Sequence, residues 1–194
     1  MSHLTPDDLY SLEQYAKVRG DFRAKVMAHK QTRRVPLGPN ATLYFEDRLT
    51  MQYQVQEMLR IERIFEQEGI AEELDAYNPM IPDGSNWKAT FMVEFPEAEE
   101  RKVALAKLIG IEDQVWVRVN GHDKVYPIAD EDLEREDESK TSSVHFLRFE
   151  LMPEMVDAVK GGASVGMGID HPNYRHSAEP IEAAVRDSLA GDLA

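Results

Sequence analysis

The segment from Asp47 to Gln67 constrains this chain most. It is the longest stretch with helical periodicity, and Gly69 stands where a helix C-cap would stop it. At about 100° per residue, Met51, Val55, Met58, Leu59 and Phe65 fall within an arc of roughly 120°, the width of a stripe that faces a core. Leu49, Tyr53 and Ile64 form a second stripe on the opposite side, with Arg60 among them. A helix apolar on both sides has to be covered on both, so the fold around it is layered. Glu62 falls in the middle of the first stripe. An ionised carboxylate there is costly unless it meets a cation, a metal or a proton. Its partner is either an arginine (Arg148, or Arg60 or Arg63 of a neighbouring chain) or a metal or substrate. Glu57 lies at the edge of the second stripe and faces a different way, so it cannot comfortably share an ion with Glu62.

A chain of 194 residues can bury roughly 70% of its unfolded surface, enough for one core without a metal or disulfide staple. With 42% hydrophobic and 30% charged residues it has the apolar content to fold. The absence of cysteine excludes disulfides, thiolate nucleophiles and cysteine-held iron–sulfur or zinc centres. A net charge of −14 would repel a nucleic-acid backbone, and no window approaches the ~20 apolar residues of a membrane span. The start, Met-Ser-His-Leu-Thr-Pro-Asp-Asp, lacks a basic region followed by an apolar stretch. These features predict a cytoplasmic protein with no nucleic-acid and no membrane partner.

Thr5, Pro6, Asp7 and Asp8 read as the opening of a helix to about Val18, followed by a second helix from about Asp21 to Thr32. Between Lys17 and Arg34 lie seven lysines or arginines and one aspartate, either solvated helix faces or a docking surface for an acidic partner. Pro36, Gly38 and Pro39 close this N-terminal helical segment, residues 1–35, which should pack on a body spanning 41–190 in a single domain, 1–194. In the body, Thr42–Phe45, Ala89–Phe95, Val115–Val119, Val125–Ile128, Val144–Leu151 and Ser164–Ile169 are β-prone, and Asn120-Gly121 is a hairpin signal. Helices are expected near Ala71–Tyr77, Pro96–Gly110, Pro153–Lys160 and Pro180–Leu189. The class is α+β, with a largely antiparallel sheet of about five strands against the central helix. Asp130–Glu138, with seven acids among nine residues, reads as a solvated loop or helix face.

His145 shares a strand face with Leu147, Phe149 and Leu151 and should point inward, as a hydrogen-bonded core residue or as a ligand. Asp170-His171-Pro172 lies just past a strand, where functional side chains are often presented. The alternative is that Asp170 caps the turn and His171 packs on Tyr174. Should adjacent strands bring His145 near Asp170 and His171, their nitrogen and oxygen donors suit a divalent metal: iron, manganese or zinc. Candidate ligand or pocket residues are therefore Glu57, Glu62, His145, Asp170 and His171, the last four being the metal candidates. No dinucleotide fingerprint, P-loop or nucleophile elbow is present.

Three stretches carry a resemblance: Leu43–Asp47 leading into Tyr53–Glu62, Asp75–Pro79 through Pro82–Thr90, and Gly168–Pro172. Together they resemble an uncharacterised bacterial family, the domain of unknown function numbered 3501. The resemblance implies no activity and no catalytic residues. It does imply genomic company, a rubrerythrin and an iron–sulfur oxidoreductase resembling heterodisulfide reductase. On that basis the expectation is an accessory protein of a redox or peroxide-defence system, working by protein contact. The alternatives are a metal-dependent or small-ligand enzyme with a carboxylate/histidine pocket, and a purely structural homodimer; a homo-oligomer is expected.

Overall fold

The computed structural model describes residues 2–137 and 139–194. Its N-terminal segment makes one long helix where two were expected. Thr5 to Asp8 close a single 3-10 turn, with the Thr5 N–H donating to Asp8. Helix α1 (Leu12–Gln31) starts instead at Ser11, whose hydroxyl accepts the Gln14 N–H while Gln14 accepts the Ser11 N–H in return. Gly20 does not break it, since an isolated glycine costs only about 1 kcal/mol in a helix already nucleated.

Helix α2 (Arg48–Glu62) is capped at Asp47, which accepts the Thr50 N–H at 2.9 Å. It ends earlier than the periodicity predicts. Arg63 takes a left-handed φ of 57°, and α3 (Gln67–Tyr77) then begins with Gly69 inside it. Phe65 falls in the connection, 71% exposed, and Glu62 on the exposed last turn. The stripe that is buried is Met51, Val55 and Leu59, which with Leu4, Leu74 and Ile81 makes a small core of its own. Tyr53 and Ile64 on the other side are half-covered.

Two antiparallel sheets follow, in keeping with the α+β class, where the sequence suggested one sheet of about five strands. The first has the order β1 (Arg34–Pro36), β2 (Ala41–Phe45), β3 (Asn86–Val93), β7 (Val144–Glu150), β6 (Ile128–Ala129). The second has the order β5 (Lys124–Val125), β4 (Val115–Val119), β8 (Val165–His171), β9 (Tyr174–Ala178). Gly121, at φ 86°, makes the turn between β4 and β5. The expected single strand Val125–Ile128 is split between the sheets: Pro127 cannot donate to a ladder, and the chain crosses there from β5 to β6. Edge strand β9, Tyr-Arg-His-Ser-Ala, has too little apolar alternation to announce itself.

Both sheets turn one face to a shared core. Phe45, Trp87, Phe91 and Phe149 from the first meet Val117 and Met167 from the second, under α5 (Pro153–Lys160) and α6 (Ala183–Ala190). Helix α4 (Ala98–Lys107) adds Leu105. Strand β3 is covered almost continuously along its length, as a strand buried on both faces must be. Its second face, with those of β2 and β7, lies beneath α1, α2 and α3.

Candidate functional site

Strand alternation sends Lys88, Thr90 and Met92 of β3, Tyr44 of β2 and Phe146 of β7 away from the shared core. They floor a cavity of 1080 Å³ whose roof includes Met27 of α1, Met51 of α2 and Tyr77 of α3. Ligand pockets typically run to about 1,000 Å³ and are mostly apolar with a few placed polar groups. Four methionines line this one, Met27, Met51, Met80 and Met92, and their unbranched thioethers adapt to irregular shapes. At the floor, buried Glu46 accepts the Thr90 hydroxyl at 2.8 Å. Lys88 donates to the carbonyls of Pro79 (2.7 Å) and Ile81 (3.0 Å), and burial holds its ammonium below the usual lysine range. Arg148 is matched by Glu131 and Glu150. Lys30 at the end of α1 and Arg34 on β1 have no carboxylate partner among the described residues, and of the lining carboxylates Glu46 and Asp75 are in no ion pair there either.

A second polar cluster surrounds His145, which points inward from β7 as its strand position predicts and is fully buried. Its Nδ1 lies 2.6 Å from Asp130 Oδ2. Asp130, at φ 49°, also accepts the Phe146 N–H (2.8 Å) and Arg135 (3.1 Å). On the other side, Nε2 faces the Thr141 hydroxyl at 2.9 Å, the Ser142 carbonyl at 3.2 Å and Glu112 Oε2 at 3.7 Å. Burial pushes the Glu112 carboxyl up, and neighbouring Glu136 adds to that. A polar cleft of 390 Å³ opens on this cluster, lined by Asp113 and by residues 129–136. The acidic run is thus more than a solvated loop. Asp130 and Arg135 are structural, while Glu138 lies outside the described residues.

The five residues singled out from sequence do not converge, and no two share a hydrogen-bond partner among the described residues. Glu57 clamps α1 to α2 by accepting from Arg19 (2.8 and 2.9 Å), Tyr15 (2.8 Å) and Arg60 (3.2 Å), and the Arg19 contacts pull its carboxyl down to about 2. Asp170, on β8, accepts from Lys124 (2.7 Å) and Tyr126 (3.0 Å), and Lys124 holds it below the usual carboxylate range. His171 is buried between the Ile109 carbonyl (3.0 Å) and the Asn173 N–H (3.2 Å), and the tautomer protonated on Nε2 satisfies both. It and Asp170 stand on the second sheet, whereas His145 stands on the first. Among the described residues of the chain Glu62 meets neither Arg148 nor any other cation, because α2 ends at it. Glu62→Gln is accordingly expected to change stability by less than about 0.5 kcal/mol in urea denaturation, as exposed substitutions do; a loss above 2 kcal/mol would contradict its exposure.

Sequence reasoning missed Glu112, Thr141 and the floor of the cavity. An inward histidine demands polar partners, but nothing local says which residues supply them. The signal for the cavity was the polar series Lys88 and Thr90 on a strand whose other face is wholly apolar.

The family model described as "Protein of unknown function (DUF3501)" matches residues 3–193. The chain belongs to this family. A crystal structure of a novel protein of unknown function from Burkholderia pseudomallei K96243 is similar along the whole length, with a TM-score of 0.94, 52% identity and 100% of both chains covered. No curated protein matches the chain. Among the described residues of this DUF3501 protein, no helix is long and apolar enough to cross a membrane.

Proposed function

We propose that this DUF3501 protein binds a small molecule with an apolar body and an anionic group in the cavity between the first sheet and helices α1–α3. The observation that carries the reading is a methionine- and aromatic-lined space of 1080 Å³ whose lining includes two cations, Lys30 and Arg34, that are in no ion pair among the described residues. The apolar surface supplies non-directional affinity, and the cations fix orientation. Anilinonaphthalene sulfonate is a suitable probe, having an aromatic body and one negative charge. It is expected to bind at one site. Met92→Trp, which fills the floor, should weaken it about tenfold or more, roughly 1.4 kcal/mol, with the melting temperature little changed. Arg34→Glu should weaken it by a similar factor. Unaltered affinity in Met92→Trp, measured by fluorescence titration, would sink the reading.

A second reading is contact with a partner protein, which the family resemblance implies would be a rubrerythrin or an iron–sulfur oxidoreductase. The exposed basic residues of α1, among them Lys17, Arg23 and Lys25, support it. Such contact would be steered by charge and weaken as salt shortens the screening length below about 10 Å. Co-purification at low salt, lost in a variant carrying Arg23→Glu and Lys25→Glu, is the expected result; recovery of neither partner counts against it.

A further inference from the structure

We propose that the ligand of the cavity is an α-amino acid with a large apolar side chain, its ammonium held by Glu46 and its carboxylate by Arg34 and Lys30. The inference rests on the reading of the cavity as a ligand site and adds the chemistry of the ligand's head group. Glu46 is 7% exposed and lines the cavity. Among the described residues its carboxylate accepts a single hydrogen bond, from the Thr90 hydroxyl to Oε1, and is in no ion pair. An ionised carboxylate out of bulk water is costly unless paired, and of its roughly four lone-pair sites one is used here. Asp47 and Asp192, equally buried, share the guanidinium of Arg33. Glu46 has no such counter-charge.

Its place on the sheet fixes what can complete it. The Glu46 N–H donates to the Lys88 carbonyl at 2.8 Å, so the pairing of β2 with β3 runs on through Glu46, and its side chain falls on the same face as that of Tyr44. Arg34 is the register partner of Tyr44 on β1. Arg34 and Glu46 are therefore diagonal neighbours, with β-carbons roughly 7–8 Å apart, yet they do not pair with each other. Lys30, at the end of α1, lines the same space. An ammonium and a carboxylate borne on one carbon fit between these groups, the first giving Glu46 its missing donors and the second accepting from Arg34 and Lys30. A plain anion would leave Glu46 unmatched and set a second negative charge beside it. The apolar side chain has its surface close by, since Phe146 is the register partner of Thr90 and Met92 lies two residues along β3.

Displacement of anilinonaphthalene sulfonate by L-tryptophan, 3-indolepropionate and tryptamine tests the head group, with L-phenylalanine, L-leucine and L-methionine covering the class. Tryptophan is expected to displace the probe. Removing its ammonium, as in 3-indolepropionate, or its carboxylate, as in tryptamine, should weaken binding by about tenfold or more, the worth of a charge-assisted hydrogen bond. In Glu46→Gln, which keeps the volume and an acceptor for Thr90, tryptophan and 3-indolepropionate should bind alike. The comparison of ligands in the parent protein needs no variant to fold. A bound probe that none of the four amino acids displaces, or either analogue binding as tightly as tryptophan, would overturn the proposal and leave the cavity reading in place. A probe that finds no site would end the cavity reading, and the proposal with it.

Discussion

Replacing Arg33 with alanine is expected to remove about 3–5 kcal/mol of folding stability, the range for orphaning one side of a buried ion pair. Arg33 is 2% exposed. Its guanidinium donates to the carbonyls of Phe45 (3.1 Å) and Glu46 (3.2 Å), meets Asp192 at 2.5 Å and stands 3.5 Å from Asp47, which His29 also contacts at 2.5 Å. One side chain thereby joins the end of α1, the cap of α2 and the C-terminal segment after α6. Burial alone would raise the Asp47 carboxyl, but Arg33, the Thr50 N–H and His29 hold it below the usual range. Removing Arg33 leaves two carboxylates in the interior with one cationic neighbour fewer and three donors lost. Domains are stable by only 5–15 kcal/mol, so the loss is a large fraction of the total. Urea denaturation monitored by tryptophan fluorescence measures it directly. Adding Asp192→Asn should restore part of the loss, because one orphaned charge disappears; a single-variant cost below 1 kcal/mol would show that the network is held by packing alone.

The parts of the fold legible in the sequence are those set by local geometry. Val115, Val117 and Val119 alternate, and so do His145, Leu147 and Phe149, so strand faces follow from the period of two. Pro153 at the first helical position and the glycine pair 161–162 bound α5 at the residues expected. The end of α2 was not legible, since Arg63 adopts the left-handed conformation without being glycine, and the helical wheel ran on to Phe65. That one misplaced boundary made Glu62 look buried. Pairing between distant residues was equally hidden: Glu112 is 33 positions from His145, and only the packing of β7 against the segment before β4 brings them together. The cavity depends on helices α1–α3 lying over the outer face of the first sheet; the alternation of Lys88 and Thr90 marks its floor, but residue spacing does not say what covers it.

The thermal stability of this protein should peak at about pH 4 and fall on both sides, more acid than the usual optimum between pH 5 and 8. On the acid side, Glu57 is decisive. Hydrogen bonds from Arg19 hold it at about 2 against an ordinary value of 4.5, so its contribution is complete above 4.5 and lost as pH falls toward 2. With a side chain 14% exposed, the gap corresponds to roughly 3 kcal/mol. On the other side, burial pushes Asp192 up to about 6 from 3.8, because Arg33 is shared with Asp47 and does not cancel the desolvation. The native state therefore holds a proton that the unfolded chain releases. Stability is greatest below 3.8 for this group and declines as pH rises to about 6, again by roughly 3 kcal/mol. Glu112, raised by burial, adds to the same decline. Melting curves from pH 3 to 8 for the parent and for Asp192→Asn separate the two limbs. The variant should keep the acid limb, lose most of the fall between about pH 4 and 6, and exceed the parent at about pH 8. A parent whose melting temperature rises from about pH 4 to 6, or a variant with the parent's slope there, would contradict the assignment to Asp192. Arg33→Ala should steepen the same limb, because without the guanidinium the Asp192 carboxyl rises further, and that coupling links the two expected results through one buried contact.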